Sequence, residues 1–153
     1  MTIHRLSEAQ LLRGVDQNDL DLIEAAGDVL EVPAGQRVIE EGAVPQRLVL
    51  LVAGSLTVFV PDPANRSQGK RLATIKAGDS CGEYGFIDRR PASASVKAME
   101  DSEIFAIAND TFNDLLHQNR EMERIIYRNL LTTLVNRLRA SNVVIDMLRT
   151  PPD

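Results

Sequence analysis

The sequence predicts a mainly β domain of the sandwich or jelly-roll type, flanked by helices. From Val29 to Ala108, short β-type runs are separated by turn residues at intervals of about 8 to 12 positions, as in antiparallel sandwiches and barrels. Helix start and stop signals precede this region, and a long segment without glycine or proline follows it. We therefore expect one domain over 1–153, with N-terminal helices over 7–27, a roll over 28–108 and C-terminal helices over 110–149.

Composition narrows the class of protein. The chain has 153 residues, of which 44% are hydrophobic and 25% charged, as is ordinary for a globular soluble protein. A net charge of −5 argues against a broad nucleic-acid surface, which needs clustered lysine and arginine. A single cysteine, Cys81, excludes an internal disulfide and fits a cytoplasmic setting. We expect no signal peptide, because the N-terminal ten residues contain no apolar h-region. We expect no membrane span, because no apolar run approaches about 18 residues.

Two helices are expected before the roll. Ser7 and Gln10 have the spacing of a capping box, which predicts a short helix over about 7–13. Asp16 can cap a second helix, which Gly27 would end.

The strands of the roll follow from alternation and turn residues. One run, 47–52, is almost continuously apolar, as a buried strand would be. The loop over 61–69 is rich in turn residues and is expected to be exposed. The predicted strands are 28–32, 36–40, 47–52, 55–60, 70–76, 93–98 and 103–108.

The end of the chain is predicted to be helical. Asp110 can cap a short helix that carries Phe112, Leu115 and Leu116. Glu121 to Arg149 contains no glycine or proline and would form a helix about 43 Å long.

This long helix carries apolar residues at heptad spacing over about three heptads. Because such a helix extends beyond a small roll, we expect a homodimer through it, and packing on its own sheet alone is the alternative. Ser141 is a polar residue within this apolar series, and it either fixes the register of the paired helices or faces a ligand. The seam residues are Tyr127, Leu131, Leu134, Leu138, Ser141, Ile145 and Leu148, and Ile126, Leu130 and Val144 widen the apolar face.

The residues that could perform chemistry are concentrated between Gly78 and Ala98. Gly82 to Ile87 predicts one or two helical turns entered through glycine, and backbone amides at such a start attract anions. Glu83 is suited to accept hydrogen bonds from a neutral group such as a sugar hydroxyl. Taken alone, this stretch is compatible with an anion site or with an ordinary glycine-rich corner of a jelly roll.

The order of the elements, together with several motifs, resembles the cyclic nucleotide-binding domain. The resemblance covers essentially the whole chain and implies a double-stranded β-helix with a dimerising C-terminal helix. Catabolite activators and related bacterial regulators look most similar, because Asn136 to Asn142 resembles their central helix. The other matching motifs are Pro33-Ala-Gly35, Glu41-Gly42, Ala53-Gly54-Ser55, Ala77-Gly78-Asp79, Gly82-Glu83, and Pro91 to Val96 followed by Ala98.

The resemblance implies that 78–98 is a phosphate cassette. Glu83 would bind the ribose 2′-hydroxyl, and the amides around Tyr84 and Gly85 would approach the phosphate. Ser141 and Asn142 match the pair that reaches the purine in the activator relatives, partly across the dimer. The implied ligand-binding residues are Gly82, Glu83, Tyr84, Gly85, Ala92, Ser93, Ser141 and Asn142.

The sequence departs from the family pattern at the position of the phosphate-binding arginine, which is Ala92. Cys81 also replaces the usual phenylalanine. A charge-assisted bond to phosphate contributes about 1.5–3 kcal/mol, so its loss weakens binding by roughly one to two decades. Arg89 or Arg90 could turn inward as a substitute, or both could belong to a solvated loop tip.

We expect a non-enzymatic, homodimeric regulatory module that binds cAMP, cGMP or another cyclic nucleotide and signals to an unknown protein partner. The alternative is a degenerate domain that binds no nucleotide and serves as an interaction subunit. The related regulators continue into a helix-turn-helix domain, whereas this chain ends at Asp153, so no DNA-reading element is expected. A metal-dependent cupin enzyme is disfavoured, because His4 and His117 both lie outside the roll. No cofactor or metal is expected.

Overall fold

Two four-stranded antiparallel sheets form the centre of the protein. The computed structural model describes residues 6–66 and 68–149, so His4 lies outside the described residues. The strands are β1 Asp28–Val32, β2 Arg37–Ile39, β3 Arg47–Ala53, β4 Ser55–Pro61, β5 Gly69–Lys76, β6 Ser80–Cys81, β7 Ser95–Ala98 and β8 Ser102–Ala108. The helices are a 3-10 helix over Gln10–Leu12, α1 Gln17–Ala26, α2 Glu83–Asp88, α3 Asn109–Gln118 and α4 Arg120–Arg149.

The strand order is β1-β8-β3-β6 in sheet A and β2-β7-β4-β5 in sheet B. The predicted fold class, a β-roll with a long C-terminal helix, is therefore confirmed. The short strand β6 was not predicted from the sequence, because two residues are too few to show alternation.

The central strands β3 and β8 of sheet A are buried on both faces, which explains the continuous apolar run in β3. Leu48 and Leu50 pack with the helices on one face, whereas Val49 and Leu51 point into the roll between the sheets. The helix-side core also contains Leu11, Leu12, Ile23, Phe86, Phe105, Phe112, Leu116, Met122 and Ile126. The roll core also contains Val32, Leu56, Ile75, Cys81, Val96 and Ile104.

The predicted helix over 7–13 is wrong in type and extent. The structure has a 3-10 helix over Gln10–Leu12, which follows Ala9 without a side-chain cap. The amide of Gln10 donates to the carbonyl oxygen of Gly78 at 3.0 Å. This bond joins the 3-10 helix to the roll.

The second helix, α1, begins as predicted. The side chain of Asp16 accepts a hydrogen bond from the Asp19 amide at 2.9 Å, which caps the helix. Gly27 follows its last residue in an extended conformation. A Cβ there would lie 2.3 Å from the ring of Phe105, so this glycine also allows close contact with sheet A.

The start of α3 differs from the prediction that Asp110 caps it. The helix begins at Asn109, and Asp110 lies in its first turn. The Asn109 amide donates to the carbonyl of Gln46, and its side-chain amide donates to the carbonyl of Pro45, each at 2.9 Å. These contacts with a distant loop fix where the helix starts.

The first half of α4 packs on the roll, and its second half is exposed. Met122, Ile126 and Leu130 are buried, so Ile126 and Leu130, predicted to widen the seam, contact the chain's own core instead. The helix has 30 residues and is about 45 Å long. None of the described helices is both long and apolar enough to cross a membrane.

Two glycines with the same backbone conformation provide a test of packing around the roll. Gly54 and Gly35 have φ of +93° and +86°. A Cβ atom added at Gly54 would lie 2.2–2.8 Å from atoms of Ser102, whereas a Cβ atom added at Gly35 would have no neighbour within 4 Å. We expect Gly35→Ala to lower the free energy of unfolding by about 1 kcal/mol through backbone strain. Gly54→Ala should lower it by about 2–4 kcal/mol, because strain and overlap add. Urea denaturation measures both, and equal losses would contradict the described packing.

Candidate functional site

Glycines set the path of the chain through the cassette. Strand β6 passes into α2 through Gly82, which has φ +86°. A Cβ at Gly82 would lie 2.8 Å from the carbonyl oxygen of Arg47, and one at Gly85 would lie 2.8–3.0 Å from the ring of Pro45. Both glycines are therefore needed for α2 to lie against the start of β3.

The carboxylate of Glu83 is the centre of a buried hydrogen-bond network. Glu83 is 2% exposed. The Ser80 hydroxyl donates to one of its oxygens, and Nη1 of Arg137 donates to the other at 3.0 Å. Nη2 of Arg137 donates to the carbonyl oxygen of Ser80 at 2.7 Å. Because Arg137 belongs to α4, the network joins the cassette to the long helix.

The charges in this network shift two pKa values. Burial lowers the pKa of the Arg137 guanidinium, but the charge of Glu83 and its hydrogen bond outweigh burial and leave that pKa raised. Burial raises the pKa of the Cys81 thiol, and the nearby charge of Glu83 raises it further, although Arg137 acts in the opposite direction. Cys81 is therefore a protonated core thiol, as expected from the sequence, and not a nucleophile.

Position 92 is held by its backbone. The Ala92 amide donates to the carbonyl of Ala43 at 2.8 Å, and its carbonyl accepts from the Gly42 amide at 2.9 Å. Nearby, the hydroxyl of Ser95, which is 0% exposed, accepts from the Glu41 amide at 2.9 Å. The loop over 41–43 is thus fixed to the second half of the cassette without any contribution from the side chain at position 92.

The two arginines considered as substitutes lie at the surface. Arg89 ends α2 with φ 56°, and its amide donates to the Gly85 carbonyl. Its guanidinium donates to the carboxylate of Asp110 at 2.8 Å, with both side chains largely exposed. Arg90 is also exposed, and its amide donates to the Asp88 carboxylate. This arrangement favours the solvated loop, and a phosphate-binding role for either arginine stays a prediction.

The remaining candidate residues are less enclosed. Tyr84 is 55% exposed, and Ser93 is exposed. Ser141 and Asn142 are exposed on the second half of α4, where Ser141 lies one turn, about 6 Å, beyond Arg137. Their roles toward a ligand stay predictions.

Sequence reasoning missed two members of the network, Ser80 and Arg137. A signal for Arg137 was present, because it precedes Ser141 by four residues and so lies on the same helix face as the polar interruption of the seam. Ser80 carried no such signal, since its role depends on the turn that Gly82 makes. Among residues 6–66 and 68–149, no group of three or more His, Cys, Asp or Glu side chains is placed to hold a metal ion.

Comparison with known families agrees with this geometry. A model of the cyclic nucleotide-binding domain matches residues 29–119. The chain belongs to this family. The match includes the cassette, α3 and all of the roll apart from its first residue, Asp28. The resemblance predicted from the sequence motifs is therefore confirmed.

The similar proteins differ widely in what surrounds this domain. The chain is 32% identical, over 94% of its length, to glutaminase 2 of Bradyrhizobium diazoefficiens, of which it spans 22%. It is 26% identical, over 90% of its length, to the cyclic AMP receptor protein of Thermus thermophilus, of which it spans 61%. The chain therefore spans less than two thirds of either relative.

Solved structures show the same fold. The Thermus thermophilus catabolite activator protein matches with a TM-score of 0.75 and 26% identity, over 92% of this chain and 63% of that one. A cyclic nucleotide-binding domain from Methylobacillus flagellatus matches with a TM-score of 0.80 and 22% identity, over 99% of this chain and 83% of that one.

Replacing Arg137 with methionine would leave the Glu83 carboxylate buried without its cation. We expect the free energy of unfolding to fall by about 1–3 kcal/mol, less than for a fully buried pair, because 37% of the Arg137 side chain is exposed and water screens the interaction. Urea denaturation measures the change. The exposed neighbour Arg139→Met is the control and should change stability by less than about 0.5 kcal/mol. Equal losses for the two variants would contradict the network.

Proposed function

We propose that this protein is a non-enzymatic sensor module that binds a cyclic nucleotide between the roll and α4. The resulting conformational change would be transmitted through a homodimer. The observation that carries the proposal is the contact of Arg137 with Glu83 and Ser80. A ligand hydroxyl that engages Glu83 must share or replace these hydrogen bonds. Binding would therefore alter the interaction between the cassette and the long helix. A conformational signal requires such a difference in contacts between the free and the ligand-bound states.

Membership of the family supports a regulatory role, and the proposal includes no catalytic step. The Cys81 thiol is buried, and the ring of His117 is exposed and contacts the carbonyl of Asn113 in its own helix. We propose a cytoplasmic setting and a downstream protein partner. The similar cyclic AMP receptor protein of Thermus thermophilus supports cAMP as the first ligand to test.

Titration with cAMP and cGMP tests this function directly. Because Ala92 supplies no cation to the phosphate, we expect binding to be weaker than micromolar by roughly one to two decades in the dissociation constant. Isothermal titration calorimetry on the full chain measures it. Absence of heat and of any thermal shift at millimolar concentrations of both nucleotides would contradict the proposal.

A degenerate domain that binds no nucleotide is the second candidate. It is favoured by Ala92, by the pairing of Arg89 with Asp110, and by the fact that both oxygens of Glu83 are already hydrogen-bonded. In that case the domain would act as an interaction subunit that keeps the fold and the dimer.

The variant Ala92→Arg separates the two candidates. For a weak sensor, the added guanidinium should strengthen binding of cAMP by about 10- to 100-fold. For a degenerate domain, measurable binding should appear only in the variant. Ala64→Arg, which adds the same charge to an exposed loop, is the control in calorimetry and should leave binding as in the native protein. Equal effects of both variants would indicate non-specific attraction of the anion.

The homodimer is proposed from the apolar surface of α4. Within one copy, Leu131 and Leu138 are each 63% exposed, Ile145 is 44% exposed and Leu148 is 81% exposed, all at seam positions. Tyr127 is partly exposed, and Leu134 packs partly against the chain's own core. Such a stripe of exposed aliphatic residues is favourable only when a second surface covers it.

A charge within this stripe should dissociate the dimer. We expect Leu138→Glu to be monomeric and to fold normally, because Leu138 does not contribute to the core of one copy. Sedimentation velocity over a concentration series measures the mass. Asn136→Glu, two residues away and directed away from the seam, should remain dimeric. A native protein that is monomeric at all concentrations would contradict the proposed dimer.

A further inference from the structure

Strand β5 lies at one edge of sheet B. Among the described residues, β4 is the one strand that pairs with it. The eight residues of β5 exceed the five of β1, the three of β2 and the two of β6, which are the other edge strands. An edge of this length has enough backbone groups to accept a further strand.

Sheet B is also distinct in charge. Its four strands carry five cationic residues and no carboxylate, although the chain has a net charge of −5. Three of the five lie on β5. The cations are Arg37, Lys70, Arg71, Lys76 and Lys97. Carboxylates occur only in the adjoining loops, where Glu40 pairs with Arg37 and Asp79 accepts from the Lys76 amide.

The middle of β5 combines these charges with an apolar side chain. The guanidinium of Arg71 donates to the hydroxyl of Thr74, a neutral group. Leu72 is 55% exposed and is the extra residue of a bulge, since Arg71 and Ala73 pair with adjacent residues of β4. Cations on an edge strand disfavour pairing with its own copy, because like charges would face each other. The same cations attract an acidic strand.

We propose that this edge of β5 binds an extended acidic segment of a partner protein, which pairs with β5 as a fifth strand of sheet B. Main-chain hydrogen bonds would supply part of the affinity, while Arg71 and Lys76 on one face of the strand and Lys70 on the other select carboxylates. Leu72 contacts an apolar side chain. The site is separate from the cassette, so its test does not depend on nucleotide binding.

The surface fits a peptide better than a nucleic acid. Phe59 is the single aromatic residue on the strands of sheet B, and it is 2% exposed. The cationic groups of Arg37 and Lys97 lie 5.5 and 4.6 Å from its ring centroid. No aromatic face of these strands is therefore available for base stacking, on which single-stranded nucleic-acid binding usually depends.

A second copy of this chain is a less suitable occupant. Its own edge strand β1 carries Asp28 and Glu31. Residues three apart on a strand point to opposite faces, so β1 could direct only one of these carboxylates toward cations on a given face of sheet B. A free acidic segment that alternates carboxylates with apolar residues can direct several toward the face that carries Arg71 and Lys76.

The experiment measures the fluorescence anisotropy of a labelled, end-capped peptide of alternating glutamate and valine as the 153-residue chain is added. We expect saturable binding that weakens as salt is raised, because the contacts are exposed ion pairs. A peptide of alternating lysine and valine should bind at least about tenfold more weakly. A glutamate–valine peptide with N-methylated amides should also bind at least about tenfold more weakly, since it cannot form the strand ladder.

Two double variants locate the site. Lys70→Glu/Arg71→Glu should weaken binding of the acidic peptide by at least about tenfold. The control Arg120→Glu/Arg128→Glu makes the same change in net charge at exposed positions of α4 and should leave binding within about twofold of the native value. Circular dichroism establishes that both are folded, and amide hydrogen exchange should show new protection in β5 of the native complex.

Any of four results would overturn the proposal: no binding at millimolar peptide, equal binding of the N-methylated peptide, equal weakening by both double variants, or protection confined to other strands. Self-association of the native protein that excludes the peptide and is lost with Lys70→Glu/Arg71→Glu would instead assign the edge to a second copy.

Discussion

A carboxylate buried to the extent of Glu83 requires charge and hydrogen-bond partners, and α4 supplies the cation. Arg137 contacts both the carboxylate and the backbone of Ser80, so the long helix must cross the cassette at this point. Burial of Met122, Ile126 and Leu130 earlier in the helix is consistent with the same placement. The position of α4 is thus tied to one carboxylate, and the proposed signal depends on this contact.

The burial of β3 and β8 on both faces of sheet A determines how much of α4 remains exposed. One face of the sheet is covered by α1, α3 and the first half of α4, and the other face lines the roll. This core is complete before α4 ends, so the second half of the helix has no further surface of its own chain to cover. The aliphatic residues there are exposed in one copy, as the proposed dimer requires.

The cassette keeps its shape independently of the residue that would bind phosphate. Backbone hydrogen bonds join Ala92 to Gly42 and Ala43, and the buried hydroxyl of Ser95 fixes the amide of Glu41. None of these contacts needs an arginine at position 92. The same architecture can therefore persist in a sensor of reduced affinity or in a domain that has lost its ligand, and adding a single guanidinium distinguishes the two.

The sequence by itself determined the fold class, most strand positions, the Asp16 cap, the short helix after Gly82 and the extent of α4, because each depends on local alternation, glycine conformation or helix propensity. The same local signals failed over 7–13, where a 3-10 helix over Gln10–Leu12 forms and the Gln10 amide bonds to Gly78. They also failed at Asp110, where contacts with Pro45 and Gln46 set the start of α3.

Only the tertiary structure decided that Arg137 pairs with Glu83, 54 residues earlier in the chain, and that Arg89 is directed to Asp110. Such pairings depend on where separate elements meet after folding. No local pattern of residue types specifies that meeting point.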